Sequence, residues 1–220
     1  MQAFIFDFNG TLFLDAEIHR MAWKRFMAEQ GRAITDEDFY RYMYGPTNEA
    51  IFRHFFPGIS DGEIVRLSGE KEAAYRRIVL DDPALKPLAP GAPEMLDMLR
   101  DRGVPCAIAT ASIRANVDFY LKDLGLDRWF DIDRVFYDTG DIPGKPDPAI
   151  YRLAMAKMGF RPEETTVVED SRMGIQSAFG AGVSRIIAID TTMGPEALAR
   201  MPEVDAVIHD FHGFERFVQV

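Results

Sequence analysis

The 220-residue sequence has little cysteine, no surplus of basic charge and no long apolar run. Its single cysteine, Cys106, excludes an internal disulfide framework. The formal net charge of −10 leaves no excess of lysine and arginine to neutralise phosphates, which argues against general nucleic-acid binding. No apolar stretch approaches membrane-spanning length, and the N-terminus lacks the basic flank and apolar segment of a signal peptide. These absences predict a cytoplasmic protein with no nucleic-acid or membrane partner.

The chain begins with an apolar run that ends in an acid, FIFDFNGTL over residues 4–12. This pattern predicts a buried strand followed by a tight turn at Gly10. A carboxylate at the carboxyl end of a strand lies where open α/β sheets bind ligands, so Asp7 is the first candidate site residue. Two residues further on, where a second carboxylate would serve proton transfer, the sequence has the amide Asn9.

The order of the predicted elements divides the chain into two regions. Residues 14–85 show helical periodicity and no clear strand. After residue 90 apolar strands alternate with helices, which predicts a parallel sheet covered on both faces and joined by right-handed crossovers. We therefore predict a doubly wound, Rossmann-like α/β core of residues 1–14 and 86–220, with an inserted α-helical cap of residues 15–85. Three further predictions concern local structure: a helix over 36–43, a helix that starts at and is capped by Ser112, and a last helix over 211–218.

Polar side chains recur at the predicted strand ends and in the loops after them. They are Asp7 with Asn9 and Thr11, Thr110 with Ser112, Lys145, and Glu169 with Asp170. The strand ends of a doubly wound sheet converge on one crevice, so we expect these groups to meet. Their carboxylates suit a hard cation such as Mg²⁺ that shares its ligand shell with a substrate phosphate. They equally suit an aspartate nucleophile that attacks phosphorus while a lysine neutralises charge.

Four segments, in order and at matching strand ends, resemble the four motifs of the haloacid dehalogenase-like hydrolase superfamily. The segments are DFNGTL, AIATAS, GKPDPAIY and VVEDSRMGIQSAFGAG. The helical insert is similar to the small cap of the branch that contains β-phosphoglucomutase and phosphoglycolate phosphatase. The resemblance covers nearly the whole chain and implies Mg²⁺-dependent hydrolysis of a small phosphorylated metabolite through an aspartyl phosphate. We expect a monomer or a weak homodimer.

The resemblance also implies roles for the residues of the first and last motifs. Asp7 would be the nucleophile. Mg²⁺ would be held by Asp7, by the backbone carbonyl of Asn9 and by Asp170, with Glu169 in or just behind that ligand shell. Gly10 would let the loop turn tightly around the phosphate.

The middle motifs would supply the remaining contacts to the phosphate. The resemblance implies that Thr110 hydrogen-bonds the phosphoryl oxygens and that Lys145 balances charge between nucleophile and phosphate, with Thr11 and Ser112 as further substrate contacts. Without the resemblance, Thr11 and Ser112 are typical helix caps, and Lys145 is typical of a solvated surface lysine.

In the insert, His19 and Lys71 match the β-phosphoglucomutase pattern of residues that face the substrate. Read alone, His19 is typical of a surface or packing histidine and Lys71 of a solvated helix residue. Tyr44 and Asn48 stand where that mutase would have cations for a second phosphate, which argues against a sugar-phosphate mutase.

Asn9 is the main departure from the family pattern, which has an aspartate there as general acid and base. An amide does not exchange a proton near neutral pH, and loss of a positioned acid or base lowers rates by about 10²–10⁴-fold. We expect a slow phosphatase or one specialised for good leaving groups. A phosphomutase and a catalytically silent phosphate-binding member remain as alternatives. Asn9 itself can be a natural variant, an engineered change, a residue compensated by another proton donor, or a site of deamidation to aspartate.

Overall fold

The protein is described as a computed structural model over residues 2–43, 47–191 and 193–218. The backbone divides into two compact units, Met1–Leu14 with Pro87–Val220 and Asp15–Lys86, which we call the core unit and the insert. The insert begins at the same residue as in the sequence prediction, 15, and ends at residue 86 instead of the predicted 85.

The core unit is built on a sheet of six parallel strands within the described residues. The strands are β1 Ala3–Phe6, β2 Cys106–Ile113, β3 Val135–Asp138, β4 Thr165–Glu169, β5 Arg185–Ile189 and β6 Ala206–Ile208. They lie in the order β3-β2-β1-β4-β5-β6. This is the strand order of doubly wound folds that bind ligands at the carboxyl edge, where the winding reverses. The predicted α/β, Rossmann-like fold with a helical insert is confirmed.

The helices are divided between the two units. Those of the insert are α1 Ala16–Glu29, α2 Asp36–Asp38, α3 Asn48–Phe55 and α4 Asp61–Asp81. Those of the core unit are α5 Ala92–Asp101, α6 Arg114–Asp123, α7 Ala149–Met158, α8 Arg172–Ala181 and α9 Pro195–Ala199. Within the described ranges, none of them combines the length and apolar character needed to cross a membrane.

The register of the central strands determines which side chains reach the carboxyl edge together. All four residues of β1 are fully buried, which suits a central strand covered on both faces. Phe6 pairs with Ile108 of β2 and with Val168 of β4. The next residue, Asp7, donates its backbone N–H to the Val168 carbonyl at 2.9 Å. Asp7 therefore leaves β1 at the level where β4 ends.

The insert encloses an apolar core of its own. Trp23 and Phe26 of α1 pack against Phe52 of α3, with ring centroids 5.3 and 5.6 Å apart. The chain is helical over the predicted range 36–43, but it changes after Asp38 from an α-helix to a π-helix over Phe39–Met43. In that wider turn Phe39 and Met43 are both buried among the same apolar side chains.

Two predictions for the core unit are wrong. The helix predicted to start at Ser112 starts at Arg114, because β2 continues to Ile113 and pairs there with Asp138 of β3. Ser112 is thus a strand residue and not a helix cap. The helix predicted over 211–218 is a 3₁₀ turn over Phe214–Phe217. It is preceded by Gly213 at φ +71°, a left-handed conformation that interrupts an α-helix.

Candidate active site

Three carboxylates meet at the carboxyl ends of β1 and β4. Asp7 follows β1, Glu169 ends β4 and Asp170 comes next, and all three are buried. An oxygen from each lies within 4.8 Å of the others. The strand ends supply this proximity directly, since neighbouring parallel strands end at one edge. The cluster therefore lies where the sequence placed its strongest candidates.

Lys145 lies among these acids. Its Nζ donates to Asp7 Oδ1 and to Glu169 Oε1, each at 2.6 Å, and to the Ala109 carbonyl at 3.1 Å. Its side chain is 8% exposed, so the interpretation as a solvated surface lysine is wrong. Burial alone would lower the pKa of Lys145, but the charges of Asp7 and Glu169 outweigh it and hold that pKa well above its ordinary value. The lysine is thus a fixed cation at the site.

Glu169 is held from two sides. Its Oε1 accepts the Lys145 ammonium and the Tyr151 hydroxyl, the latter at 3.1 Å, and its Oε2 accepts the backbone N–H groups of Asp170 and Ser171 at 3.0 Å. Burial, followed by the Glu169 charge, raises the pKa of Tyr151 well above its ordinary value. Space around the carboxylate is tight, because a Cβ at Gly174 would lie 1.6 Å from Glu169 Oε1. These contacts place the Glu169 side chain against the start of α8.

The turn after β1 fits closely around Asp170. Gly10 has φ +81°, and a Cβ there would lie 2.3 Å from Asp170 Oδ2, so only glycine suits both the conformation and the space. Thr11 Oγ1 lies 3.4 Å from Asp170 Oδ1. Thr191 Oγ1 donates to the Gly10 carbonyl at 2.8 Å and lies 3.5 Å from Asp170 Oδ2. The turn is thereby fixed from both sides.

Asn9, Thr110 and Ser112 are joined by their side chains. Asn9 Oδ1 accepts the hydroxyls of Thr110 at 3.1 Å and Ser112 at 2.7 Å. Asn9 Nδ2 donates to the hydroxyl of Tyr120, a residue of α6, at 3.0 Å. The carboxamide is therefore held by hydrogen bonds in this structure.

The core site contains residues that the sequence reasoning missed. Tyr151 belongs to the run GKPDPAIY but was not singled out there. Thr191 comes just after β5, so the rule that strand ends converge could have found it. Tyr120 lies within a helix and outside every motif, and no sequence signal pointed to it.

The donor set fits a divalent cation. The described residues bring three clustered carboxylates and the ammonium group of Lys145 together in a buried place. The available atoms are carboxylate oxygens, the ligands that hard cations prefer. The cluster can thus hold a divalent cation.

In the insert, Lys71 is buried. The interpretation of Lys71, taken alone, as a solvated helix residue is therefore wrong. Its side chain is 2% exposed, and its Nζ lies 2.8 Å from both Glu72 Oε1 and His19 Nδ1. The Nζ also lies 5.1 Å from the ring centroid of Trp23 and 5.8 Å from that of Tyr75, within cation–π range. A charge is thus held in an apolar surrounding by polar and aromatic partners.

The contacts of Lys71 determine the state of His19. An ammonium group only donates, so Nδ1 of His19 accepts and Nε2 carries the ring proton. Nε2 lies 3.3 Å from Asp15 Oδ2, which also accepts the Tyr75 hydroxyl at 2.7 Å. Sequence reasoning missed Asp15 and Tyr75, although Asp15 and His19, and Lys71 and Tyr75, are each four residues apart and share a helix face.

Glu72 completes the cluster in the insert. Burial alone would raise the pKa of Glu72, but the charge of Lys71 and a hydrogen bond from Asn48 help to lower it to about 2. Asn48 Nδ2 donates to Glu72 Oε1 at 2.9 Å. Tyr44, which the sequence comparison with the mutase paired with Asn48, lies outside the described residues.

Comparison with known proteins identifies the family. The haloacid dehalogenase-like hydrolase family model matches residues 1–182. The chain therefore belongs to this family of hydrolases, as its four motifs predicted.

Individual relatives cover almost all of the chain. Validoxylamine A 7′-phosphate phosphatase of Streptomyces hygroscopicus subsp. limoneus is 31% identical over 209 residues, which cover 94% of this chain and 92% of the relative. Hexitol phosphatase A of Escherichia coli strain K12 is 29% identical over 209 residues, with 94% and 90% coverage. The crystal structure of a HAD hydrolase, family IA, variant 3, from Entamoeba histolytica HM-1:IMSS has a TM-score of 0.90 and 32% identity, and covers 100% of this chain and 96% of that one.

Proposed function

We propose that this protein is a Mg²⁺-dependent phosphatase that hydrolyses a small phosphate monoester through an aspartyl phosphate on Asp7. The observation that carries the proposal is the position of Asp7, whose carboxylate follows β1 and binds Lys145 Nζ at 2.6 Å within the acidic cluster. An aspartate beside a fixed cation and a divalent-ion site matches the requirements of phosphoryl transfer. The phosphatase relatives support the same reaction class.

In the first step, an oxygen of Asp7 forms a bond to phosphorus while the bond between phosphorus and the ester oxygen breaks. Lys145, already paired with Asp7, balances the negative charge that the phosphoryl group brings. Mg²⁺ would be held by Asp7, Asp170 and the Asn9 carbonyl, with Glu169 in or just behind its ligand shell. When bound there, the ion would neutralise charge on the phosphoryl oxygens. Gly10, Thr11, Thr110 and Ser112 are the proposed contacts around the phosphate. Water then attacks phosphorus, which releases inorganic phosphate and restores Asp7.

We propose that the supply of a proton to the leaving group limits the rate of turnover. The departing ester oxygen needs a proton, and the carboxamide of Asn9 does not provide one near neutral pH. We therefore propose slow turnover, fastest for leaving groups that are stable as anions. An aryl phosphate needs little help from an acid, whereas an alkyl phosphate needs much.

The substrate we propose is a small polyhydroxylated phosphate ester. Two phosphatase relatives carry the names of a hexitol and of validoxylamine A 7′-phosphate. In the insert, His19 is a proposed substrate contact because its side chain is 26% exposed and an imidazole suits hydroxyl oxygens, whereas Lys71 is 2% exposed and is proposed to hold His19 through Nδ1. Asn48 binds Glu72 and offers no cation for a second phosphate, which supports a phosphatase over a mutase.

The test is a phosphate-release assay over sugar, polyol and aryl phosphates with Mg²⁺, repeated with a chelator and with Asp7→Asn. Loss of the nucleophile should lower kcat by roughly 10⁴-fold or more, since nucleophile deletions abolish the covalent route. Asp101→Asn is the matched control, because this aspartate is 68% exposed and pairs with Arg100. Undiminished turnover in Asp7→Asn would contradict the proposal.

A second candidate, phosphate binding without release, is favoured by Asn9. The residue that usually activates water for the second step is here an amide, so the phosphorylated protein would accumulate. Intact-mass spectrometry after incubation with an aryl phosphate separates the two candidates. A stable gain of one phosphoryl group, absent in Asp7→Asn and without continuing phosphate release, would favour the binding function.

A further inference from the structure

Tyr120 is hydrogen-bonded to Asn9 but lies outside the four sequence motifs. It lies in α6, it is 2% exposed, and its ring centroid is 4.2 Å from that of Phe8. Its hydroxyl lies 3.0 Å from Asn9 Nδ2 and 3.1 Å from Ser112 Oγ. A buried phenol therefore reaches the side chain at the position where the family has its acid and base.

The direction of each hydrogen bond follows from the groups themselves. Thr110 Oγ1 accepts the backbone N–H of Ser112, which leaves its own proton to donate to Asn9 Oδ1. This places Oδ1 towards the two small hydroxyls and Nδ2, which only donates, towards Tyr120. Since Ser112 Oγ donates to Asn9 Oδ1 at 2.7 Å, the contact between Ser112 and Tyr120 takes its proton from the phenol.

The bonds form a closed ring of three side chains, Asn9 to Tyr120 to Ser112 and back to Asn9. Each member donates to the next, so both ends of the carboxamide are held by hydrogen bonds. The packing of Tyr120 against Phe8 fixes the phenol in turn. The ring therefore holds the side chain at position 9 as a unit.

We propose that Tyr120 is a positioning residue that, together with Ser112, sets the orientation of the side chain at position 9. The positioning stands on the geometry alone, and its catalytic consequence rests on the proposed phosphatase function. A carboxylate at position 9 could accept the same three hydroxyls, from Thr110, Ser112 and Tyr120. An acid introduced at position 9 would thus be held by Tyr120 and Ser112 in the place of the carboxamide.

The first experiment detects the ring without any turnover. The sequence has only three asparagines, so protein labelled with ¹⁵N-asparagine gives three side-chain NH₂ pairs in an NMR spectrum. Asn9→Asp removes and so assigns the pair of Asn9. Tyr120→Phe should shift the Asn9 pair and speed its proton exchange, while the pair of Asn48, bound to Glu72, stays in place. Ser112→Ala, which removes another ring member, should shift the same pair. If the Asn9 pair changes in neither variant, the proposal is overturned.

The second experiment measures the consequence for catalysis. The readout is the ratio of kcat/KM for an alkyl phosphate to that for an aryl phosphate, which rises when an acid protonates the leaving oxygen. Asn9→Asp alone should raise this ratio, and adding Tyr120→Phe should remove about tenfold of that gain, out of the 10²–10⁴-fold range for a positioned acid. Asn9→Asp with Tyr137→Phe is the matched control, because the Tyr137 hydroxyl is an exposed contact of Arg114.

The two readouts separate failure of this inference from failure of the proposed function. If the NMR pair responds but no variant releases phosphate, the ring stands and the phosphatase proposal fails. If Tyr120→Phe leaves the gain from Asn9→Asp unchanged, the phenol does not restrain position 9 and the inference is wrong.

Discussion

The two units each bury a lysine, and the two lysines are held in different ways. Lys145 of the core unit is 8% exposed and bridges Asp7 and Glu169, which are far apart in sequence. Lys71 of the insert is 2% exposed and pairs with its sequence neighbour Glu72, an imidazole nitrogen and two aromatic rings. One lysine joins the ends of two strands, whereas the other is enclosed by helix faces.

This difference shows what each kind of architecture does with a buried charge. At the sheet edge, acids converge because parallel strands end together, and the lysine offsets part of an excess of negative charge. In the insert, side chains four residues apart on α1 and α4 form stripes, and each charge has a local partner. The first arrangement leaves carboxylate oxygens that can bind a divalent cation. The second is nearly self-contained.

The largest effect is expected from Lys145→Met. Two buried carboxylates, Asp7 and Glu169, would lose their shared cation, which should lower the free energy of unfolding of the core unit by about 3–5 kcal/mol. Phosphate release should fall by roughly 10²-fold or more, since the site loses the charge that opposes the phosphoryl group. The variant is compared with Lys157→Met, an exposed lysine on α7.

The two tryptophans allow each unit to be followed separately. Trp129 belongs to the core unit and Trp23 to the insert, and the sequence has no others. In a Trp23→Phe background, urea unfolding monitored by fluorescence reports on the core unit. Equal midpoints for Lys145→Met and Lys157→Met would show that Lys145 is not the structural cation described above.

A second expected effect concerns Lys71→Met, which leaves Glu72 buried beside a methionine. The insert should lose about 3 kcal/mol of unfolding free energy, because an unpaired buried charge is costly. Lys71→Met combined with Glu72→Gln should recover most of that loss, since the charge is removed with its partner. Trp23 fluorescence in a Trp129→Phe background measures both, and strictly additive losses would contradict a coupled pair.

The smallest effect is the dependence of stability on pH, and it has opposite signs in the two units. The pKa of Glu72 is lowered from 4.5 to about 2 on folding, so its contribution is complete above pH 4.5 and is lost as the pH falls towards 2. The raised pKa of Lys145 acts in the other direction, with a contribution that is complete below its ordinary value of 10.5 and is lost at higher pH.

Urea titrations of the insert between pH 6 and 2.5 check the acid limb, with Glu72→Gln as the matched variant. The difference in unfolding free energy between wild type and Glu72→Gln should be constant above about pH 5 and should shrink below it. A difference that does not change with pH would show that the carboxylate of Glu72 is not stabilised on folding.

The sequence predicted the sheet and its edge because those depend on regular rules. Apolar strands ending in Asp7 and Glu169 need only the convergence of parallel strands to be placed together. Lys145 needed the motif around it, since a lone lysine in a loop carries no sign of burial. Tyr120 could not be predicted, because its contact with Asn9 depends on the rotation of α6 against the sheet.

Local competition explains the errors of detail. Ser112 has the composition of a helix cap, but pairing of β2 with β3 continues past it and its hydroxyl binds Asn9. Lys71 and Tyr75 share a helix face, yet their spacing does not say whether that face meets solvent or another helix. Packing between helices and strands determines the environment of Ser112 and Lys71. The periodicity of a single helix or strand contains no information about that packing.

The contact between Gly174 and Glu169 also constrains how this scaffold can evolve or be redesigned. Even the methyl group of alanine would fall on the carboxylate that orders the lysine and the first turn of α8. A saturation library at this codon should therefore return glycine almost exclusively, although Gly174 is not among the residues proposed to contact the phosphate or the metal. In a laboratory-evolution campaign, position 174 is best kept constant while diversity is placed elsewhere.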